Sequence, residues 1–215
     1  MADAAMEKTE FLRYRLGSDA LCLGERVRGG LFRPCCRVFR YGTLVGALKA
    51  NFGETEPIHA AGRFVPRGPD TNRLEVLTYA PRSRARVLSK IPLSIEYVAN
   101  VSAELFVLST GFTQTWPSEF TLSMGAMKSK GFGHCHVKLL EVVAFSRPRK
   151  GRLAMRIPEE GEVENAFGIR NVLSPFYGYL FKPTSATSGV YVRSLFEGSE
   201  VVALEPILEP ESRYG

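Results

Sequence analysis

Histidine and cysteine are scarce in this sequence, with three and four residues among 215. No Cys-x-x-Cys spacing occurs, and the adjacent pair Cys35 and Cys36 is poorly placed to chelate one zinc ion, so neither a metal nor any other cofactor is expected. The chain has no Ser-His-Asp order, no phosphate-loop lysine motif and no paired carboxylates, which removes the commonest hydrolytic and nucleotide-binding chemistries. No apolar run reaches the ~20 residues that span a bilayer, and residues 1–10 lack the charged and hydrophobic regions of a signal peptide. Together with the unpaired cysteines, these absences predict a reduced, cytoplasmic protein without membrane contact. Internal repeats, heptads and low-complexity tracts are missing too.

What the chain has instead is arginine. The formal net charge of +6 and pI near 9.2 are moderate, but the basic residues are unevenly placed. Arg13, Arg15, Arg26, Arg28, Arg33, Arg37 and Arg40 crowd the start against Asp19 and Glu25, and Arg63, Arg67, Arg73, Arg82, Arg84, Arg86 and Lys90 continue the theme. Glu197, Glu200, Glu205, Glu209 and Glu211 make the tail acidic. Such polarity suits a polyanion on one side and a protein partner on another. The length fits one elaborated domain or two small units sharing a sheet.

Residues 125–143 form a basic, glycine-punctuated turn that runs into a strand. Gly131 and Gly133 flank what reads as one exposed aromatic, Phe132; they allow positive φ and would bring backbone N–H groups to a ligand, while Lys128, Lys130 and His136 supply side-chain donors. Phe132 is expected either to stack on a base or to plug the core. A tight turn needs one or two glycines but has no need of Lys128 and Lys130 beside them, so the pattern points to an RNA backbone. The arginines from Arg26 to Arg40, interleaved with Phe32, Phe39 and Tyr41, offer charge and stacking planes for single-stranded RNA. A packing or inter-subunit role is the plainer alternative for them.

Along the chain, strands are expected at 11–16, 60–65 and 74–79. A helix is expected over 41–53, with Leu44, Val45, Leu48 and Phe52 on one face, Gly53 as its stop, and small Gly46 and Ala47 lying close to a sheet. Residues 94–98 and 103–108 read as a hairpin turning at Asn100, and 116–124 as a helix starting near Pro117. Residues 147–157 read as a protruding arm followed by an acidic bend, and 176–181 and 190–196 as closing strands.

Lys128-Ser-Lys-Gly-Phe-Gly133 before a strand resembles the glycine-rich loop of the RAMP superfamily of CRISPR-associated RNA-binding proteins. Leu31-Phe-Arg-Pro34 followed by Tyr41-Gly-Thr-Leu-Val-Gly-Ala-Leu48 is similar to that superfamily's amino-terminal helix signature. Tyr177-Gly-Tyr-Leu-Phe181 with Tyr191-Val-Arg-Ser-Leu-Phe-Glu-Gly198 looks like the closing segment of the subunit that caps a type III effector. The resemblance implies an α+β, ferredoxin-like (RRM-like) RAMP fold with inserted β-hairpins. Residues 1–145 would form the RNA-binding domain, and 146–215 an arm and closing strands integral with it. It further implies a Cas-five-like, non-catalytic subunit of a type III (or type I-D) complex for antiviral defence. Such a subunit grips the 5′ handle of the crRNA through Lys128, Lys130, Gly131, Phe132 and Gly133, and contacts backbone and large subunits. The arm near 147–157 would match the family's thumb hairpin.

Some RAMP proteins cut guide precursors without metal by activating a ribose 2′-OH, work that suits a group titrating near neutrality. His59, just after the expected helix, is the candidate base for that alternative, with Lys130 stabilising the phosphate. His134 and His136 alternate with Cys135 and should share one strand face, a poor metal site without a third ligand. A protein-interaction scaffold with a basic face is the third reading.

Overall fold

The structure, a computed structural model, describes residues 8–25, 30–80, 91–185 and 188–210; Arg28 and the basic run 82–90 lie outside them. The fold is mixed α+β and mostly sheet. Its backbone is a pair of long antiparallel strands, β1 (Thr9–Leu21) and, later in the chain, the sixteen-residue β5 (Leu93–Leu108), in register from Phe11↔Leu108 to Leu21↔Val98. A short β2 (Phe32–Arg33) runs parallel to β5 beside β1. On the far edge of β5, β3 (Ala60–Phe64) and β4 (Arg73–Tyr79) pair antiparallel with its two halves. On the far side of β1 follow β7 (His134–Phe145) and then β6 (Glu119–Ser123), again antiparallel. Among the described residues these seven strands form one sheet.

Helix α1 (Tyr41–Phe52) forms where the 3.6-residue period predicts it, burying Leu44, Val45 and Leu48, and ends at Gly53 with φ 93°. It packs on β3 and β6, where Phe52 stacks on Trp116 with ring centroids 4.1 Å apart. Two expectations fail in this half. Residues 94–108 are one strand, not a hairpin: Asn100 takes a left-handed φ of 49°, but β1 keeps pairing on both sides of it, at Ala20↔Ala99 and Ser18↔Val101. Residues 116–124 are not helical either. Pro117 follows a single 3₁₀ turn at Thr113–Thr115, and the alternation of Phe120 and Leu122 builds β6, with Leu122 paired to Cys135.

The expected arm at 147–157 does not protrude. β8 (Arg149–Arg152) leads to Leu153, Met155 and Ile157, each fully buried in the same hydrophobic core as Phe11 and Leu44. Three apolar side chains at alternate positions are better satisfied by burial than in a solvent arm. β9 (Ile157–Pro158) and α2 (Gly161–Ala166) follow, the latter supplying Val163 and Ala166 to the core. β10 (Asn171–Ser174) and β13 (Glu200–Ala203) stack with β8 in a small sheet. β11 (Tyr177–Pro183) and β12 (Gly189–Leu195) form a hairpin whose base pairs with β9.

Among the described residues no helix is long and apolar enough to cross a membrane.

Candidate nucleic-acid interface

The glycine turn connects β6 to β7. Gly133 has φ 77°, and a Cβ there would lie 1.8 Å from the Met124 carbonyl oxygen, so backbone proximity as well as torsion demands glycine. Gly133→Ala should therefore lower the unfolding free energy by about 1–3 kcal/mol, read as a shifted urea midpoint. Gly133 N–H donates to Ala20 O (2.8 Å), Gly131 N–H to Lys128 O (3.1 Å) and Lys130 N–H to Met127 O (2.8 Å). These amides are satisfied inside the fold and are not presented to a ligand, contrary to the expectation from the glycines. Phe132 also differs from the exposed aromatic expected: it is 7% exposed, packed with Cys22 and Ile95 and edge-on to Tyr97 at 5.1 Å. It plugs the core and anchors the turn.

What the turn does present is lysine. Lys128 borders a groove, while Lys130 donates to the Tyr79 hydroxyl (3.1 Å) with its ammonium 4.8 Å from that ring's centroid. His136 goes elsewhere. With His134, whose ring centroid is 5.0 Å away, it occupies the exposed sheet face, between Gly17 and Thr121, while Cys135 and Val137 face the core.

The groove lies between α1, the strand end at 22–25, the start of the glycine turn and the β11–β12 hairpin. Its larger part, about 850 Å³, is lined by Arg33, Arg40, Tyr41, Lys49, His59 and Lys182 among others. A second hollow of about 490 Å³ shares Gly24, Arg40, Gly42, Thr43, Gly46, Ala126 and Pro183 with it and extends to Lys128. The two hollows therefore adjoin along a shared wall and together make up the channel beside α1. The first turn of α1, with no acidic residue in it, faces this channel, and a helix N-terminus carries partial positive charge. Glu25, Glu160 and Glu162 temper the charge, two of them through ion pairs: Lys182 to Glu160 at 2.6 Å and Arg40 to Glu25 at 3.8 Å.

The arginines divide by role. Arg40 is half-buried and donates to the carbonyls of Gly24 (3.1 Å) and Leu23 (3.4 Å), so it builds the wall it lines. Arg33 lines the larger part and Arg37 is exposed on the bend before α1. Arg156, absent from the sequence reading, holds the wall from behind: it donates to Glu197 (2.6 and 2.8 Å) and Glu25 (2.9 Å) and lies 4.3 Å from the Phe196 ring centroid.

His59 stands in the channel wall with its Nδ1 2.9 Å from Tyr41 Oη. Burial pushes its pKa below the ordinary 6.5, opposed by Glu162, and burial likewise pushes the Tyr41 phenol up. Sequence reasoning named Tyr41 as a stacking plane but missed Gly42, Thr43, Gly46 and Lys49 as lining residues. Gly46 does not lie against a sheet: it is exposed, and no atom comes within 4 Å of a Cβ built there. The available signal was the spacing of Gly42 and Gly46, one helical turn apart on the face opposite Leu44 and Leu48.

The hairpin's other face is aromatic. Tyr177, Tyr179 and Tyr191 are 45%, 67% and 63% exposed, and the Arg193 guanidinium sits 3.8 Å from the Tyr177 ring centroid.

No sequence-family profile matches the chain, and no characterised protein matches it in sequence. Its fold is similar to a chain of the type III-B Cmr-beta complex solved by cryo-electron microscopy with cognate target RNA and AMPPnP (TM-score 0.57, 7% identity, 88% of this chain and 86% of that one). A chain of a CRISPR RNA-guided surveillance complex aligns over 95% of both chains at 14% identity with a TM-score of 0.48.

Proposed function

We propose that this protein is a non-catalytic crRNA-binding subunit of a CRISPR effector complex, of the RAMP superfamily and Cas-five-like, holding the guide's 5′ handle in the channel beside α1. The observation that carries the reading is the channel itself, an open trough with arginine and lysine in its walls, the N-terminus of a helix facing into it, and Lys128 at one end. The likeness of fold to a chain of an RNA-bound type III-B complex supports it. The strand order supports the ferredoxin-like part: β7, β1, β5 and then β3 with β4 are antiparallel neighbours, with α1 in the first crossover. The 3₁₀ turn at Thr113–Thr115 stands where a second helix would be. The aromatic outer face of the β11–β12 hairpin is the surface we assign to backbone or large subunits, since exposed Tyr beside Arg is the composition of interface anchors.

The test is fluorescence anisotropy with labelled guide RNA carrying its handle. Lys128→Ala with Lys130→Ala should weaken binding about tenfold for each charge-assisted hydrogen bond removed and flatten the salt slope by about 0.7 for each phosphate no longer neutralised. Unchanged affinity and slope would remove RNA from the reading and favour the scaffold.

The contact between Tyr41 and His59 favours one second reading, a metal-independent endoribonuclease. If the Tyr41 hydroxyl donates to the Ile58 carbonyl (3.5 Å), it accepts from His59 Nδ1–H and leaves Nε2 as a base for a ribose 2′-OH. Site-specific cleavage of repeat RNA in chelator, abolished in His59→Ala, is its expected result.

A further inference from the structure

Cys22 directly follows β1, and Cys35 lies in the arginine-containing segment that precedes α1. A narrow antiparallel bridge between Gly24 and Cys35 joins these segments, with Cys36 N–H donating to Leu23 O (2.9 Å) and Glu25 N–H to Pro34 O (3.1 Å). The Cys35 thiol donates to the Leu21 carbonyl (3.8 Å) and accepts from Leu23 N–H (3.2 Å), which sets its sulfur against Cys22 between them. The Cys22 carbonyl meanwhile accepts from Ala126 N–H (2.7 Å), tying the start of the glycine turn to the same point. Cys22 forms part of the channel wall and is 1% exposed, so a solute in the channel reaches it only as that wall opens. Cys135 is buried elsewhere, beneath the exposed face of β7, with its thiol 3.6 Å from the Gly133 carbonyl.

We propose that Cys22 and Cys35 close to a reversible disulfide that staples the segment before α1 to the stretch after β1 to which the glycine turn is hydrogen-bonded. The Cys22 thiolate attacks one sulfur of a low-molecular-weight disulfide such as glutathione disulfide, breaking its S–S bond and releasing one glutathione thiolate. Cys35 then gives its proton to solvent and attacks Cys22 Sγ, breaking the mixed disulfide and releasing the second glutathione. Two protein thiols are oxidised and one glutathione disulfide is reduced to two thiols. Burial pushes the Cys35 thiol up. Cys22 is the attacking sulfur and Cys35 the resolving one, because Cys22 and not Cys35 is among the residues lining the channel. The proposal does not depend on what occupies the channel.

The full-length protein would be equilibrated in glutathione buffers from reducing to oxidising, quenched in acid, alkylated and mapped by mass spectrometry without reduction. The expected result is loss of two of the four thiols, a Cys22–Cys35 cross-linked peptide, and its reversal by dithiothreitol. Cys36→Ser and Cys135→Ser should retain the cross-link, and Cys22→Ser and Cys35→Ser should lose it. The wild-type map stands even if a serine variant fails to fold. Four alkylatable thiols throughout, a persistent glutathione adduct on Cys22, or a cross-link to Cys36 or Cys135 would each overturn the proposal.

Discussion

Replacing Glu104 with alanine should lower the unfolding free energy by about 3–5 kcal/mol, the cost of removing one partner from a buried ion pair. Glu104, on β5, is 6% exposed and lies between two arginines. Arg63 donates to it from Nε (3.2 Å) and Nη2 (2.9 Å), and Arg13 donates to its other oxygen. Both guanidiniums also lie over the Phe106 ring, with Arg63 at 5.0 Å and Arg13 at 6.0 Å from its centroid. Arg13 keeps Glu141 (2.7 Å), and Arg63 keeps the Leu208 carbonyl (3.2 Å) and Glu205 (3.6 Å). Without Glu104, two like charges would share a low-dielectric pocket. Burial raises the Glu104 pKa, but hydrogen bonds from Arg13 and Arg63 outweigh it and hold the value below the ordinary 4.5. With the folded value below the unfolded one, the stability from this group is present above pH 4.5 and is lost as pH falls through the depressed value. The gap between wild type and Glu104→Gln, followed by urea denaturation, should hold from neutral pH down to that point and then narrow. A gap independent of pH would show that Glu104 acts through packing alone.

Gly46→Leu should separate stability from binding. The position is exposed in the middle of α1 with open space around it, so exchanging glycine for a good helix former should raise stability by roughly 0.5–1 kcal/mol. The new side chain would enter the channel where its two hollows meet. Being apolar, it could not replace a phosphate contact. RNA affinity should fall by at least about tenfold, equivalent to 1.4 kcal/mol, while the melting temperature rises. A higher melting temperature with unchanged affinity would move the RNA away from this channel. Equal loss of both would mean that the channel's openness is part of the fold's stability.

These two sites are unequally legible in the sequence. Helix α1 can be read because Leu44, Leu48 and Phe52 mark a 3.6-residue period and Gly53 ends it, both local signals. The place of the glycine turn is equally plain, but its chemistry is not. Glycine advertises positive φ without saying which groups the freed amides will meet, and here they meet Ala20 and Lys128. Asn100 misleads for a related reason: a residue suited to a left-handed turn can also sit as an irregularity in a continuous strand when a long neighbour such as β1 holds both sides. Pro117 suggests a helix start, although Phe120 and Leu122 alternate at the strand period. The Arg13, Arg63 and Glu104 cluster and the contact between Cys22 and Cys35 join residues from separate segments. No spacing rule along the chain announces such meetings.

The placement of β1 between β5 and β7 has a consequence for how the chain is made. Phe11 pairs with Leu108 on one side and Val143 on the other, so a growing polypeptide leaves the ribosome with its first strand unpaired until much later residues emerge. Most sheet-forming contacts then wait on non-local partners, the regime in which small domains fold in milliseconds to seconds. During that interval β1 exposes both edges together with Phe11, Leu12, Tyr14 and Leu16, which are buried once the sheet closes. Expression yield should therefore depend more on temperature and chaperone supply during synthesis than the finished protein's stability would imply.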